Sequence, residues 1–213
     1  MPLTEPVRFY FSFRSPYAFF AYHRAGRALA GLPVRIERIP VFPPPDFPND
    51  PAAVPAKLSY IVRDGARIAR EYGLAPFRWS GDVDTPWMRP HAAWVFADDA
   101  GEADAFARAV FEARFCEARN VGADETLRDV AARCGLDPEA VVRAADDPGL
   151  HRRVGLGMLK AREDGIFGVP FFAWRDERYW GNDRIEWLVR DVQRAAGARV
   201  PDLAADPMAR PSA

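Results

Sequence analysis

The hydrophobic pattern of this chain changes its period twice, and that change limits the folds open to it. From Val7 to Phe13 apolar and polar residues alternate, which is typical of a strand. From about Val54 to Asp164 apolar residues recur every three or four positions, as they do on one face of a helix. After Gly165 short apolar runs return. The pattern therefore predicts strands at both ends of the chain and helices between them.

The first unit is predicted to be strand, helix, strand. Ser15 and Pro16 follow the first strand as a helix cap and a first helical residue, and Gly31 ends the helix. A second strand is predicted from Val34 to Phe42. Two strands joined through a helix favour parallel pairing with a right-handed crossover.

The last unit is predicted to be a hairpin followed by a helix. The apolar runs Phe171–Trp174 and Arg178–Trp180 flank the polar segment Arg175–Glu177. Gly181-Asn182-Asp183 then opens a helix that ends at Gly197. This order of elements predicts an α/β fold, a thioredoxin-like fold with a large all-helical insertion.

Domain boundaries follow from the same pattern. Residues 1–45 and 165–200 are expected to form the two halves of the thioredoxin-like domain. A proline-rich stretch, residues 43–51, leads into an inserted helical subdomain over 46–164, with five or six short helices. Residues 201–213 are expected to be a flexible tail.

Composition excludes several classes of function. The 213 residues carry 29 basic and 30 acidic side chains, and the arginines are spread among the acids, so nucleic-acid binding is not expected. No apolar run is long enough for a membrane span, and the first residues lack the pattern of a signal peptide. We therefore expect a soluble, cytoplasmic protein.

Thiol and metal chemistry of the chain itself are also not expected. Cys116 and Cys134 are far apart in helical segments and form neither a redox pair nor a zinc cluster. His23, His91 and His151 show no ligand spacing with acids or with each other, so each is expected at the surface or in packing.

The first candidate for chemistry is Ser15, where the first strand meets the first helix. Backbone N–H groups and the helix dipole favour an anion there, and this placement lowers the pKa of a thiol. No cysteine stands at Ser15 or at Ala18, so a thiolate stabilised at this position would have to come from a bound ligand. The alternative is that Ser15 only caps the helix.

Two further segments could complete a pocket. Pro170, at a strand start, is a candidate for a cis bond that lets the Val169 backbone pair with an extended, peptide-like ligand. At Trp180-Gly181-Asn182-Asp183, free N–H groups could take a ligand carboxylate while Asp183 takes its ammonium group, and a γ-glutamyl group carries both. The alternatives are an ordinary edge proline and ordinary helix caps.

The order of these motifs resembles the 2-hydroxychromene-2-carboxylate isomerases, relatives of the kappa-class glutathione transferases. The resemblance runs from about Val7 to Val192. It rests on four segments: Phe9–Tyr17, Val54–Lys57 with Tyr60 and Arg63-Asp64, Phe167–Pro170, and Trp180–Arg184.

The resemblance implies a glutathione-dependent isomerase of aromatic catabolism, expected to be a homodimer. Ser15 would hold the glutathione sulfur, Val169 and Pro170 its cysteinyl backbone, and Trp180 to Asp183 its γ-glutamyl end. The implied reaction is reversible thiolate addition to an activated double bond, rotation and elimination. Two alternatives stay open: a kappa-like transferase that conjugates glutathione, and a thioredoxin-like protein that binds thiols or peptides without catalysis.

On the substrate side, the resemblance implies that Asn49 and Arg89 lie near an aromatic or unsaturated carboxylate, with Arg89 as its charge partner. The alternative for Arg89 is a solvated surface arginine. This side departs from the family pattern, with Pro45 in place of a frequent lysine and Phe171 in place of a usual threonine.

Overall fold

The computed structural model describes residues 3–42, 54–74, 76–79 and 85–200. The strands are β1 (Val7–Phe11), β2 (Ile36–Pro40), β3 (Phe171–Trp174) and β4 (Glu177–Trp180). The helices are α1 (Pro16–Ala28), α2 (Pro55–Glu71), α3 (Met88–Asp99), α4 (Ala103–Phe115), α5 (Asp124–Arg133), α6 (Pro138–Ala145), α7 (Pro148–Glu163) and α8 (Ile185–Ala195). A 3₁₀ turn over Asn182–Arg184 precedes α8. The prediction of an α/β, thioredoxin-like fold with a helical insertion is confirmed.

The four strands form one mixed sheet in the order β2-β1-β3-β4. β1 pairs with β2 in parallel, as the strand–helix–strand unit predicts, and β3 and β4 form the predicted antiparallel hairpin. β3 also pairs antiparallel with β1, with Phe9 opposite Phe172. The two ends of the chain therefore build a single sheet, and the helical segment lies between them in sequence.

Side-chain alternation along the strands divides the core between the two faces of the sheet. Phe9 and Phe11 face α1 and join a large buried cluster, in which the Phe9 ring stacks on Phe172 at 4.5 Å. Tyr10 points to the opposite face and packs in a smaller cluster with Ile39, under α7.

The inserted helices share the larger cluster with the sheet. The Phe11 ring of β1 contacts Trp94 of α3 edge-on at 5.2 Å, and Phe19 of α1 contacts Phe115 of α4 at 5.6 Å. No helix within the described ranges is long and apolar enough to span a membrane.

Four strand boundaries differ from the predicted ones: the end of β1, both ends of β2 and the start of β4. β1 ends at Phe11 because the Phe13 N–H bonds to a histidine side chain instead of continuing the strand pairing. β2 begins at Ile36 because Val34 lies in a turn, where its N–H donates to the Leu32 carbonyl. Pro45 and Asn49, with the proline-rich stretch and the predicted tail, lie outside the described residues.

Candidate active site

Ser15 occupies the junction between β1 and α1. Its backbone is extended, and its Oγ accepts a hydrogen bond from the Ala18 N–H at 3.2 Å. Pro16 follows as the first helical residue. This is a standard N-cap, so the capping prediction is confirmed, and the half-buried hydroxyl stands at the positive end of the helix dipole.

The Ser15 hydroxyl also reaches the segment before β3. Its Oγ donates to the Val169 carbonyl oxygen at 3.2 Å. The Val169–Pro170 peptide bond is cis, as predicted. Because the pairing of β3 with β1 starts at Phe171, the backbone of Val169 is outside the strand ladder.

The segment after β4 lies beside the same proline. The Gly181 N–H donates to the Pro170 carbonyl at 3.0 Å. Gly181 has a φ of +113°, and a Cβ placed there would collide with Asp183 Oδ1, so the tight approach depends on glycine. The Asp183 carboxylate is 65% exposed and lies 3.2 Å from the Arg184 guanidinium.

An exposed aromatic pair borders this region. Phe167 and Trp180 meet edge-to-face at 4.9 Å, and more than half of each side chain is exposed. The indole also lies over Gly168, where an added Cβ would be 2.9 Å from Trp180 Nε1. The predicted residues Val169, Pro170, Trp180, Gly181 and Asp183 therefore lie in two adjoining segments, one of which contacts Ser15.

Asn182 has an internal role instead of an exposed one. Its side chain is buried. Its backbone carbonyl accepts a hydrogen bond from Arg24 Nη1 at 2.9 Å, and its side-chain Oδ1 accepts one from the Tyr72 hydroxyl at 3.4 Å. Arg24 also pairs with Glu186 of α8. Sequence reasoning missed Arg24 and Tyr72, because nothing local to either residue marks it as a neighbour of position 182.

Arg89 is engaged inside the helical insertion. Its guanidinium donates to Asp146 and Asp124 and to the Gly122 carbonyl. These carboxylates raise its pKa, with the hydrogen bond to Asp146 as the largest cause. The contacts compensate its charge and use four of its five N–H donors, so a substrate carboxylate would have to compete with two protein carboxylates for this guanidinium. Asn49, the other residue expected on the substrate side, lies outside the described residues.

The start of α3 contacts the β1–α1 turn through His91, which sequence reasoning placed at the surface or in packing. The side chain is fully buried, and its Nε2 lies 3.2 Å from the Phe13 backbone nitrogen. Its Nδ1 lies 2.6 Å from the Trp87 carbonyl. Burial lowers the pKa of His91 to about 4, against a smaller opposing effect of the Trp87 contact.

The chain's two thiols lie at helix C-termini, the end of the helix dipole opposite to the one that Ser15 occupies. Cys116 and Cys134 cap the C-terminal ends of α4 and α5 and are half-buried. Burial, with nearby carboxylates, raises the pKa of both thiols. Ser15 therefore occupies the position that activates a thiol, while both cysteines are in positions that suppress thiolate.

Comparison with known proteins places this chain in a family. Residues 6–193 match the model of the DSBA-like thioredoxin domain. The 2-hydroxychromene-2-carboxylate isomerase of Sphingobium xenophagum is 24% identical over 87% of this chain and 97% of its own length. Its counterpart from Pseudomonas putida is 26% identical over 85% and 91%.

A solved structure shows the same architecture. The structure of a 2-hydroxychromene-2-carboxylate isomerase superposes with a TM-score of 0.79, at 23% identity, over 89% of this chain and 95% of that one. At this identity the likeness concerns the fold. Because the family model spans nearly all of the described residues, the chain belongs to the DSBA-like thioredoxin domain family.

Proposed function

We propose that this protein is a glutathione-dependent isomerase of an aromatic or unsaturated keto acid. The observation that carries the proposal is the Ser15 hydroxyl, which stands at the N-terminus of α1 and bonds to the Val169 carbonyl. A site of this kind stabilises a thiolate, and Ser15 cannot supply one. The names of the two curated relatives favour isomerisation over disulfide exchange.

The residues around Ser15 suit glutathione. A tripeptide needs an extended backbone partner, and Val169 offers its main chain ahead of the strand ladder. A γ-glutamyl group carries an ammonium ion, and the exposed Asp183 carboxylate offers the matching charge. Gly168 and Gly181 keep both segments close to Trp180 and Asp183, where side chains would collide.

Bound glutathione would supply a thiolate that adds reversibly to the activated double bond, so that the bond becomes single, rotates and forms again on elimination. The protein's part is to hold that sulfur deprotonated. The Ser15 hydroxyl would exchange its Val169 partner for the sulfur, and the first N–H groups of α1 would face the same charge.

The expected lowering of the pKa of the bound thiol is large enough to produce thiolate at neutral pH. A hydrogen bond to a charged group contributes about 1.5–3 kcal/mol, and a helix N-terminus about 0.3–1 kcal/mol. Since one pKa unit corresponds to about 1.4 kcal/mol, a thiol with a pKa near 8.5 would be lowered by about one to three units. That range makes a large fraction of the bound thiol ionised at neutral pH.

Binding and turnover test the proposal separately. Calorimetry with glutathione should show binding to the wild type, about tenfold weaker binding to Asp183→Ala, and no change for Asp176→Ala, an exposed acid in the β3–β4 turn. Ser15→Ala should keep much of the binding but lose the ultraviolet absorbance of the bound thiolate.

Turnover is measured with 2-hydroxychromene-2-carboxylate as the first substrate, with and without glutathione. An isomerase should need glutathione and return it unchanged, whereas consumption of glutathione would indicate a conjugating transferase. Absence of binding at millimolar glutathione would overturn the proposal.

A further inference from the structure

His91 connects the helical insertion to the turn that carries Ser15. It lies in the first turn of α3, is fully buried, and packs between the rings of Phe13 at 5.0 Å and Phe42 at 5.3 Å. Residues two positions apart lie on nearly opposite sides of a helix, which is why Arg89 faces the insertion while His91 faces the end of β1.

The hydrogen-bond partners of His91 define its tautomer. The Trp87 carbonyl can only accept, so the proton is on Nδ1, which donates to that oxygen at 2.6 Å. Nε2 is therefore an acceptor, and it receives the Phe13 N–H at 3.2 Å and faces Ser12 Oγ at 3.4 Å. The neutral ring is the form that can make both contacts.

These contacts continue to Ser15 through two short steps. Ser12 Oγ accepts the Arg14 N–H at 3.2 Å, and the Ser12 carbonyl accepts the Ser15 N–H at 3.1 Å. The turn from Ser12 to Ser15 therefore has its own internal hydrogen bonds, and His91 holds it through the additional bond from the Phe13 N–H. Without His91, the Phe13 N–H would be a buried donor without its acceptor.

We infer that His91 is a positioning residue, which holds the β1–α1 turn so that the Ser15 hydroxyl and the start of α1 meet the thiol of a ligand. The inference rests on the proposed function, since it concerns the orientation of Ser15 toward that thiol. His91 acts through the backbone of the turn and does not touch the ligand.

Three variants separate this role from general stability. His91→Phe keeps an aromatic ring and removes both hydrogen bonds, and His91→Gln keeps an acceptor within reach of the Phe13 N–H. His151→Phe is the matched control, because His151 of α7 also uses a ring nitrogen to bond a helix-end carbonyl, that of Ala145 at the end of α6, at 2.8 Å.

The first measurement needs no ligand. Amide hydrogen exchange at Phe13 and Ser15 should become at least about tenfold faster in His91→Phe, because the turn loses its anchor. His91→Gln should restore part of the protection, and His151→Phe should leave these amides unchanged. Wild-type exchange rates in His91→Phe would overturn the inference.

The second measurement is the pH titration of the bound glutathione thiolate by its ultraviolet absorbance. His91→Phe should reduce the thiolate-to-thiol ratio at neutral pH about tenfold, while glutathione affinity changes by less than about threefold. A wild-type titration in His91→Phe would overturn this inference and leave the proposed function standing, whereas no thiolate in the wild type would remove both.

A smaller change covers the case in which His91→Phe does not fold. Ser12→Ala removes the acceptor of the Arg14 N–H and the hydroxyl beside Nε2, with the loss of one oxygen from the buried turn. Ser12→Ala should make amide exchange at Ser15 faster and should lower the thiolate-to-thiol ratio, as His91→Phe does. Unchanged values in Ser12→Ala would then count against the inference.

Discussion

The hydroxyl of Ser15 and the carbonyl oxygen of Val169 are 3.2 Å apart, although 154 positions separate them in the chain. The contact joins the junction of β1 and α1 to the segment that precedes β3. It also gives the hydroxyl a partner in the absence of a ligand, so that a bound thiolate would replace one acceptor with another.

Substitution Ser15→Cys should create a reactive thiol without any ligand. The N-terminus of α1 is expected to hold its pKa below the usual value of about 8.5, whereas burial raises the pKa of Cys116 and Cys134. Alkylation with iodoacetamide, followed site by site by mass spectrometry, should show the introduced thiol reacting fastest at neutral pH. Equal rates at all three sites would contradict the electrostatic argument.

Asp164 is expected to stabilise the fold at the end of α7. Its carboxylate accepts from the Arg8 guanidinium at 2.6 and 2.9 Å and from the Tyr10 hydroxyl. Burial alone would raise its pKa, but the hydrogen bonds from Arg8 and Tyr10, with the charges of Arg8 and Arg178, outweigh burial and lower it. Asp164→Asn should therefore lower the free energy of unfolding by about 2 kcal/mol, measured by urea titration.

The pH dependence of this contribution has a defined sign. A carboxyl with a lowered pKa stabilises the folded state above its ordinary value of 3.8, and that stabilisation is lost as the pH falls through the folded-state pKa. Asp99, which pairs with Arg153 on the surface, is the control. Asp99→Asn should change stability by no more than a few tenths of a kcal/mol. Equal effects of the two substitutions would contradict the prediction.

Two glycines of α7 should respond differently to alanine. Nothing lies within 4 Å of a Cβ at Gly155, so Gly155→Ala should stabilise the helix by about 0.5–1 kcal/mol. At Gly157 the added Cβ would be 3.0 Å from Ile39 Cγ2 and 3.3 Å from the Pro40 carbonyl. Gly157→Ala should therefore give no gain or a loss, because α7 must move away from β2. Urea unfolding of both variants measures the difference, and an equal gain at both positions would contradict this packing.

Two histidines should contribute to acid sensitivity. Burial lowers the pKa of His91 to about 4, and burial with the charges of Arg108 and Arg27 lowers that of His23 to about 4. In the unfolded chain both bind a proton near pH 6.5. The unfolded state therefore binds more protons between about pH 4 and 6.5, so the free energy of unfolding falls as the pH falls through this window.

Replacement of either ring should reduce that dependence. His23→Gln and His91→Gln should each flatten the curve of unfolding free energy against pH below about 6.5, with little change in slope above it. Nuclear magnetic resonance titration of the imidazole protons gives the folded-state values directly. A ring that titrates near pH 6.5 in the folded protein would rule out its part in this effect.

Local patterns predicted most of the elements and the cap at Ser15. Alternation and helical spacing depend on which side chains face the core, and a serine before a proline at a helix start bonds within three residues. The hairpin of β3 and β4 and the cis bond before Pro170 were predicted for the same reason, because turn residues and proline restrict the backbone on their own.

The amino-acid sequence by itself therefore determined the fold class, the order of the elements and the position of Ser15 at a helix N-terminus. Only the tertiary structure decided which distant groups surround that position. It directs Arg89 to Asp124 and Asp146, and it brings His91 to the Phe13 N–H, where β1 ends early. The physical reason is that hydrogen bonds and ion pairs across the chain depend on how helices and strands pack, and that packing leaves no periodic signal at the residues that make these contacts.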